Sequence, residues 1–562
     1  MNRTFIQRAI CFSVISCFAH AQTAPDAGSL RQQLDQDRLN RLPGQAAPEL
    51  RGDPPVTPST ATSTVSVNTF RFEGNTLLGD AQLQAVVAGY LNRPLSFEQL
   101  QAVAAAVADA YRDAGWVVRT YLPRQDVTDG TVIIRIDEAR FGKVQVEGAE
   151  PTRLKLDYAL SSLESRQKKG EPLNAEALER AILLVDDLPG VAASGALRAG
   201  AGEGETDLVL KLTDEPLVIG DVGIDNAGMR STGRERIAAS VGIASPFGIG
   251  DLVSIHAIHS QGLDYARVGY SVPIGHDGLR LGVNGSTLHY SLVSPEFSAL
   301  NARGKSSTLG LDATYPLIRS RRQNLYLVMN YDQKTFENTS DGAISSRYGA
   351  RSGTVGLSGN LFDGLGGGGA NSATLLFTHG DLDLDGSPNR AADATTTRTA
   401  GRYEKLRYTL ARQQSLTPTL SFLAMLSGQE ASKNLDSSEK FYLGGLNGVR
   451  AYPLNEGGGA EGKVVNLELR WKLNEAFLLS GFYDWGHVTV NRNNRFTGAA
   501  AVNSFSLRGA GLALGWQSSQ GLNLRLTWAR RIGDNPNATS TGLDQDGTLH
   551  KDRFWLTASM PF

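Results

Sequence analysis

From Pro216 to the C-terminus, apolar and polar side chains alternate in segments roughly ten residues long. In GLNLRLTWARRI, Leu522, Leu524, Leu526 and Trp528 fall on one face, and Asn523, Arg525 and Thr527 on the other. In VVNLELRWKL, Val465, Leu467, Leu469, Trp471 and Leu473 share one face, and Asn466, Glu468, Arg470 and Lys472 share the opposite one. A charged second face is wrong for a sandwich core and right for a water-filled lumen, so this period of two predicts the strands of a membrane barrel. Sixteen such segments begin near residues 217, 235, 252, 264, 279, 305, 324, 349, 371, 403, 418, 464, 477, 506, 521 and 553. An even number is expected of bacterial barrels.

The connections support that register. Short turns such as PFGIG, GHDG and NEA follow the even segments. Long polar loops such as DLDLDGSPNRAADATTTRTAG and NRNNRFTGAAAVNS follow the odd ones. With the N-terminal part of the chain in the periplasm, the long loops fall outside the cell. The last segment, RFWLTASMPF, sets Phe554, Leu556, Ala558, Met560 and Phe562 on one side, and a terminal aromatic at Phe562 suits the closing strand of an outer-membrane barrel.

Upstream the pattern differs. Residues 64–140 read as β-α-α-β-β: a strand in VNTFRFEGNTLL, helices near Asp80–Leu91 and Ser96–Ala114, and two strands around a turn at Asp129-Gly130. Ser96 with Gln99 three positions on is a capping-box pattern. Residues 141–214 repeat the order, with Glu147-Gly148 matching Glu73-Gly74 and helices near Arg153–Leu163 and Asn174–Leu188. Residues 22–42 carry Leu30, Leu34, Leu39 and Leu42 at roughly helical intervals, and a linker rich in Pro, Ser and Thr comes next, over 43–63.

Composition narrows the reading. Residues 1–21 have a basic start (Arg3, Arg8), an apolar run and Ala19-His20-Ala21, the form of a secretory signal, with lipidation at Cys17 as the alternative. Both cysteines lie in that signal, so the mature chain offers no disulfide, thiol chemistry or cysteine metal site. A net charge of −2 gives no footprint for nucleic acid. No stretch approaches the roughly 20 apolar residues of a spanning helix, so any crossing of a bilayer is by a closed barrel.

Candidate chemistry is sparse. There is no Walker loop, no G-x-S-x-G and no H-E-x-x-H, so no catalytic, cofactor or metal site is expected. His256 and His259 fall on opposite strand faces, and Asp381 to Gly386 resembles the start of a calcium loop but has Ala392 where the pattern needs a glutamate. The distinctive stretch is GGLNGVRAYPLNEGGGAEG, between the eleventh and twelfth segments. Its small residues permit a fold back into the lumen, and Arg450, carried inside, would need a carboxylate. Asp484 in GFYDWG faces the lumen by parity, and so does Glu468; a guanidinium on a carboxylate makes a directional, bidentate clamp.

Taken together these features resemble the two-partner secretion outer-membrane transporters, the TpsB (FhaC/ShlB-like) hemolysin activation/secretion proteins. The two repeats resemble POTRA domains. FYLGGLNGVRAYP, with Gly444, Gly445, Val449, Arg450, Ala451, Tyr452 and Pro453, resembles that family's sixth-loop signature, in which a Val-Arg-Gly-Tyr core comes after paired glycines. Ala451 stands where the core most often has glycine. GFYDWG, with Gly481, Phe482, Asp484 and Gly486, resembles its barrel-wall motif. The resemblance implies an all-β membrane barrel of sixteen antiparallel strands over 215–562, preceded by two small α+β POTRA-like domains. It implies an inward-folded loop at about 433–463, and a helix in the 22–42 region that plugs the pore at rest.

The implied function is export of a large exoprotein, such as an adhesin, cytolysin or toxin, from periplasm to cell surface, without enzymatic activity. Implied partners are that exoprotein, outer-membrane lipid and, during biogenesis, periplasmic chaperones and the barrel-assembly machinery. The alternatives are an assembly or insertion factor of the same superfamily, a passive porin, and a soluble exported enzyme.

Overall fold

The computed structural model describes residues 24–39, 64–127 and 129–562. The signal segment, both cysteines, Leu42 and the 43–63 linker lie outside the described residues. Among the described residues no helix is long and apolar enough to cross a membrane.

Sixteen antiparallel strands close into one barrel, from the first (Val218–Asp225) to the last (Asp552–Pro561). The alternation in sequence is the alternation in space: Leu469, Trp471, Leu526, Phe554 and Leu556 are exposed on the outer wall, while Asn466, Glu468, Ser480 and Asp484 are buried inside. The strands range from 8 residues to the 21 of the eighth, Ala343–Asp363. About 9–11 residues cross a bilayer, so the longest strands project well beyond it. That projection explains two differences from the sequence reading. The eighth strand starts at Ala343, not near 349, because residues 343–348 pair with the seventh strand above the bilayer. The ninth strand runs to Asp383, and Leu382 and Leu384 turn into the interior core, so half of DLDLDG is strand rather than loop.

The barrel closes most weakly at its seam. Neighbouring strands elsewhere share eight to eighteen registered pairs, but the last and first strands share five, Thr557–Pro561 against Asp221–Asp225. Below them Phe562 and Gly220 exchange backbone hydrogen bonds at 2.9 and 3.0 Å. Above them the Asn226 amide stands in for a strand, donating to the Phe554 carbonyl and accepting from the Leu556 N–H.

Two α+β units precede the barrel, each with two helices on a three-stranded sheet in which the first strand lies parallel to the third. Ser96 and Gln99 form the capping box at the start of helix Phe97–Asp113. A small pair missed in the sequence, Thr64–Val67 with Arg93–Ser96, extends the first unit; four-residue strands, one of them containing Pro94, carry too little alternation to be read. Gly74 and Gly148 both take positive φ, +91° and +99°, which accounts for the repeated Glu-Gly. The repeat extends to one polar device. Glu138, ending the third strand of unit one, accepts the Thr76 and Leu77 N–H groups at 2.7 and 2.8 Å. Asp214 does the same in unit two for Thr152 and Arg153, at 2.9 and 3.1 Å. The second unit sits on the periplasmic turns through Arg319–Asp187 at 2.7 Å, Arg321–Glu179 at 2.8 Å and Arg166–Asp277 at 2.7 Å.

Burial pushes the Glu138 carboxyl up, but the Thr76 hydroxyl, the two amides and Tyr111 outweigh it and hold the group below the usual carboxylate range. Glu138→Ala hands the exposed Thr76 donors to water and strips the half-buried Leu77 N–H and Tyr111 hydroxyl of their acceptor, and is expected to cost the first unit about 0.5–1.5 kcal/mol. The check is the urea midpoint for proteolysis within residues 64–140 of the purified chain; an unchanged midpoint would remove Glu138 from the unit's stability.

Candidate functional site

The segment between the eleventh strand (Leu420–Ala431) and the twelfth (Glu461–Lys472) does not lie over the barrel mouth. It descends into the lumen, where Phe441–Tyr442 and Gly458–Gly459 pair as two short strands. The tip between them turns tightly: the Val449 N–H donates to the Leu443 carbonyl at 2.7 Å, and the Gly445 N–H to that of Tyr452 at 3.1 Å. A Cβ at Gly444 would stand 1.9 Å from the Pro453 carbonyl oxygen, so only glycine allows the two arms this approach.

Arg450 is carried on that tip and is 6% exposed. Its Nε and Nη2 donate to Asp484 on the thirteenth strand (Phe477–Thr489), at 2.9 and 2.8 Å, the side-by-side pairing of guanidinium and carboxylate. Its Nη1 donates to Glu468 at 2.9 Å, and its own backbone N–H to Asp484 at 3.1 Å. The guanidinium carbon stands 3.4 Å from the Phe482 ring centroid, a cation–π contact. Thus Arg450, Asp484, Glu468 and Phe482, singled out from sequence, meet at one point. Val449 packs where Gly486 bares the wall, since a Cβ there would come within 2.9 Å of it. Gly481 pairs with the outward-facing Leu469 and Leu512 and takes no part. Phe562 is exposed on the outer wall and belongs to the seam, not to the loop.

Ala451 meets its requirement in an unforeseen way. Its φ is not positive, and its methyl sits over Gly509 of the fourteenth strand, where a Cβ would come within 2.6 Å. The wall, not the loop, therefore supplies the small residue.

Several contacts escaped the sequence reading. Asn466 faces inward beside Glu468 and is the register partner of Asp484; its amide donates to Asp484 at 2.8 Å and to the Gly448 carbonyl at 2.9 Å. Strand parity had set it on the lumen face with Glu468, but parity names no cross-strand partner. Arg470 and Arg525 also donate to Glu468, at 3.0 and 3.1 Å, so the second carboxylate is shared by three arginines. Trp555 on the last strand donates its indole N–H to the Arg450 carbonyl at 2.8 Å and ties the tip to the seam strand. Arg531 lies over the Tyr452 ring at 4.5 Å.

The outer arm of the loop bears Glu456, fully buried. Its carboxylate accepts from the Asn537 amide and the Gln545 N–H, both at 2.9 Å, and so bonds to the loop preceding the last strand. Burial, with Asp544 nearby, pushes its pKa up to about 7. An acid raised on folding binds more protons folded than unfolded, so the seating loses stability as pH rises from the ordinary carboxylate range through about 7. Hydrogen exchange at Gln545 is therefore expected to be slower, after correction for intrinsic rate, at pH 5.5 than at pH 8. Glu456→Gln should abolish the difference; if the difference persists in that variant, another group is responsible.

Comparison with known proteins places this geometry. Residues 65–139 match the ShlB-type POTRA domain. "Heme/hemopexin transporter protein HuxB" of Haemophilus influenzae is 26% identical over 98% of this chain and 97% of its own length. "Outer membrane transporter CdiB" of Dickeya dadantii is 25% identical over 76% of this chain and 77% of its own. The structure of CdiB from Escherichia coli shares the fold with a TM-score of 0.73 at 21% identity, covering 96% of this chain and 100% of that one. Residues 204–517, more than half of the sequence, match the family described as haemolysin secretion/activation protein ShlB/FhaC/HecB, and the chain belongs to that family.

Proposed function

We propose that this chain is an outer-membrane transporter that takes an unfolded exoprotein from the periplasm and passes it through the barrel to the cell surface. The observation that carries the reading is the occupied lumen. The helix Ala27–Leu39 and the loop around Arg450 both lie inside the barrel and are held there largely by polar contacts. A passive pore would have no use for a resident helix, and an assembly factor commonly carries more than two POTRA units. The helix acts as the resting plug, and the Arg450 clamp fixes the loop beside the path.

The periplasmic units present free strand edges, Thr69–Glu73 and Val118–Tyr121 in the first, to which an extended chain would add by main-chain hydrogen bonding. The cargo is a large secreted partner of the adhesin, cytolysin or toxin kind, and likeness to a heme/hemopexin transporter adds a heme-related cargo as a candidate. Chaperones and the barrel-assembly machinery serve the chain during its own biogenesis. With no nucleotide motif in the chain, folding of the cargo outside supplies the direction. Proteoliposomes carrying the purified full chain as their only protein should therefore translocate the partner without added nucleotide, and a strict need for an energy source would overturn that part.

Arg450→Ala leaves Asp484 and Glu468 buried without their common partner, a loss of about 3–5 kcal/mol at a buried pair. Secretion is expected to fall by an order of magnitude or more while the barrel still assembles, judged by heat-modifiable migration. Arg450→Lys keeps the charge but loses the two-pronged geometry, and should secrete at an intermediate level. Normal export by Arg450→Ala would take Arg450 out of the mechanism.

A further inference from the structure

The helix Ala27–Leu39 meets the tip that carries Arg450 at a polar contact, Asn447 donating to Asp37 at 3.0 Å, and the wall where the Ala27 N–H donates to Asn338 at 2.9 Å. It lies along residues 436–442, the chain that enters the lumen ahead of the glycine-rich tip. Ser437 Oγ donates to both Asp26 oxygens at 2.8 Å, Gln32 donates to the Lys440 carbonyl at 2.8 Å, and Gln36 to that of Tyr442 at 2.9 Å. A Cβ at Gly28 would stand 2.6 Å from Ser437 Oγ, so helix and segment touch at backbone distance. Residues 436–442 are the seat of the helix.

The seat has its own fastening, on a different part of the wall from Arg450. Glu439, 2% exposed, meets Lys334 of the seventh strand (Gln323–Ser340) at 2.9 Å and Lys405 of the tenth (Gly401–Ser415) at 2.6 Å. Its carbonyl accepts from Gln429 of the eleventh strand at 2.9 Å. Both ammonium groups are themselves buried, at 8% and 7% exposure. Three buried charges in one cluster are costly to desolvate, and removing one strands the others. The polarity is also opposite to that of the Arg450 clamp: there the loop brings the cation and the wall the carboxylates, here the loop brings the carboxylate and the wall the cations.

We infer that Glu439, gripped by Lys334 and Lys405, is a second positioning residue, which holds the seat in place and thereby sets how readily the helix leaves the pore. This rests on the reading of the helix as the resting plug. The two clamps then divide the work: Arg450 fixes the loop tip against strands twelve and thirteen, and Glu439 fixes the helix seat against strands seven and ten.

The test is the resting conductance of the purified full chain in planar bilayers, with heat-modifiable migration confirming a folded barrel. Glu439→Gln should raise the frequency of large openings by roughly tenfold or more, as the buried ammonium groups lose their common partner. Lys334→Gln should act in the same direction, less strongly, and serves if Glu439→Gln does not fold. Reversing all three charges, Glu439→Lys with Lys334→Glu and Lys405→Glu, sets one ammonium between two carboxylates and should return the channel toward closure, which loss of packing alone would not allow. A chain lacking residues 24–39 is the reference for an unplugged pore. If that chain opens while Glu439→Gln stays as closed as the parent, or if the reversal fails to restore closure, the inference is overturned. If the helix-less chain is itself closed, the plug reading is what fails.

Discussion

A charge inside a closed barrel has few places to go, and Arg450 is such a charge. Its tip is buried, the wall around it is fixed by strand hydrogen bonds, and water is largely displaced by Phe482, Val449 and Tyr452. Under those conditions an arginine persists only if carboxylates meet it with matched geometry. Asp484 does so with both oxygens, and Glu468 takes the remaining nitrogen. The requirement propagates outward. The tip must be glycine-rich so that the arms approach, Gly486 and Gly509 must leave the wall bare, and Asn466 must complete Asp484. One buried guanidinium thus dictates side-chain size and polarity on three strands and one loop.

How much of this was legible in the sequence depended on whether the signal was local. Period-two alternation is a property of each strand by itself, so all sixteen strands, and the face to which Asp484 and Glu468 belong, could be read. The repeated Glu-Gly marked the two periplasmic units because a positive φ demands glycine at the same place twice. What was not legible required knowing which strands become neighbours across the lumen. Lys334 and Lys405 lie far apart in the chain and meet only at Glu439, so neither looked different from any solvated lysine. Trp555 stands between the outward residues of the last strand, and nothing local announced that it would reach the Arg450 carbonyl. The exchange between Ala451 and Gly509 was likewise invisible, because the compensation sits on another element.

The tip is also joined to the weakest point of the wall. Five registered pairs, the Phe562–Gly220 backbone bonds and Asn226 close the seam, and the strand that carries Trp555, paired along 552–559 with the fifteenth strand, has no strand partner among the described residues on its seam side over its upper half. The indole bond to the Arg450 carbonyl therefore links the clamp to the strand whose seam side is the most weakly held part of the wall. Arg553 of the same strand reaches Asp544 and Asp546 in the preceding loop, which in turn contacts Glu456 on the far arm of the glycine-rich segment. Loop, seam strand and outer loop form one polar network rather than three separate features, and a displacement of the tip must be felt at the seam.

The polar character of the helix contacts suits what a plug has to do. The buried side of Ala27–Leu39 includes Ser29, Arg31, Gln32 and Gln33, with Leu30 among its few large apolar groups. A greasy helix would seal more tightly, but its departure would expose apolar surface on both helix and wall, at about 25 cal/mol for each Å². Amide and hydroxyl contacts exchange for water at small net cost, typically about 1 kcal/mol each. A seal made of many such contacts is specific in register yet close in free energy to the open state, so a modest bias from arriving cargo is enough to move it. The buried Arg31 of the helix takes its carboxylate from Asp35 on the same helix, so the ion pairs to the barrel wall at Glu439 and Arg450 lie on the loop, which keeps the frame rigid while leaving the helix free to go.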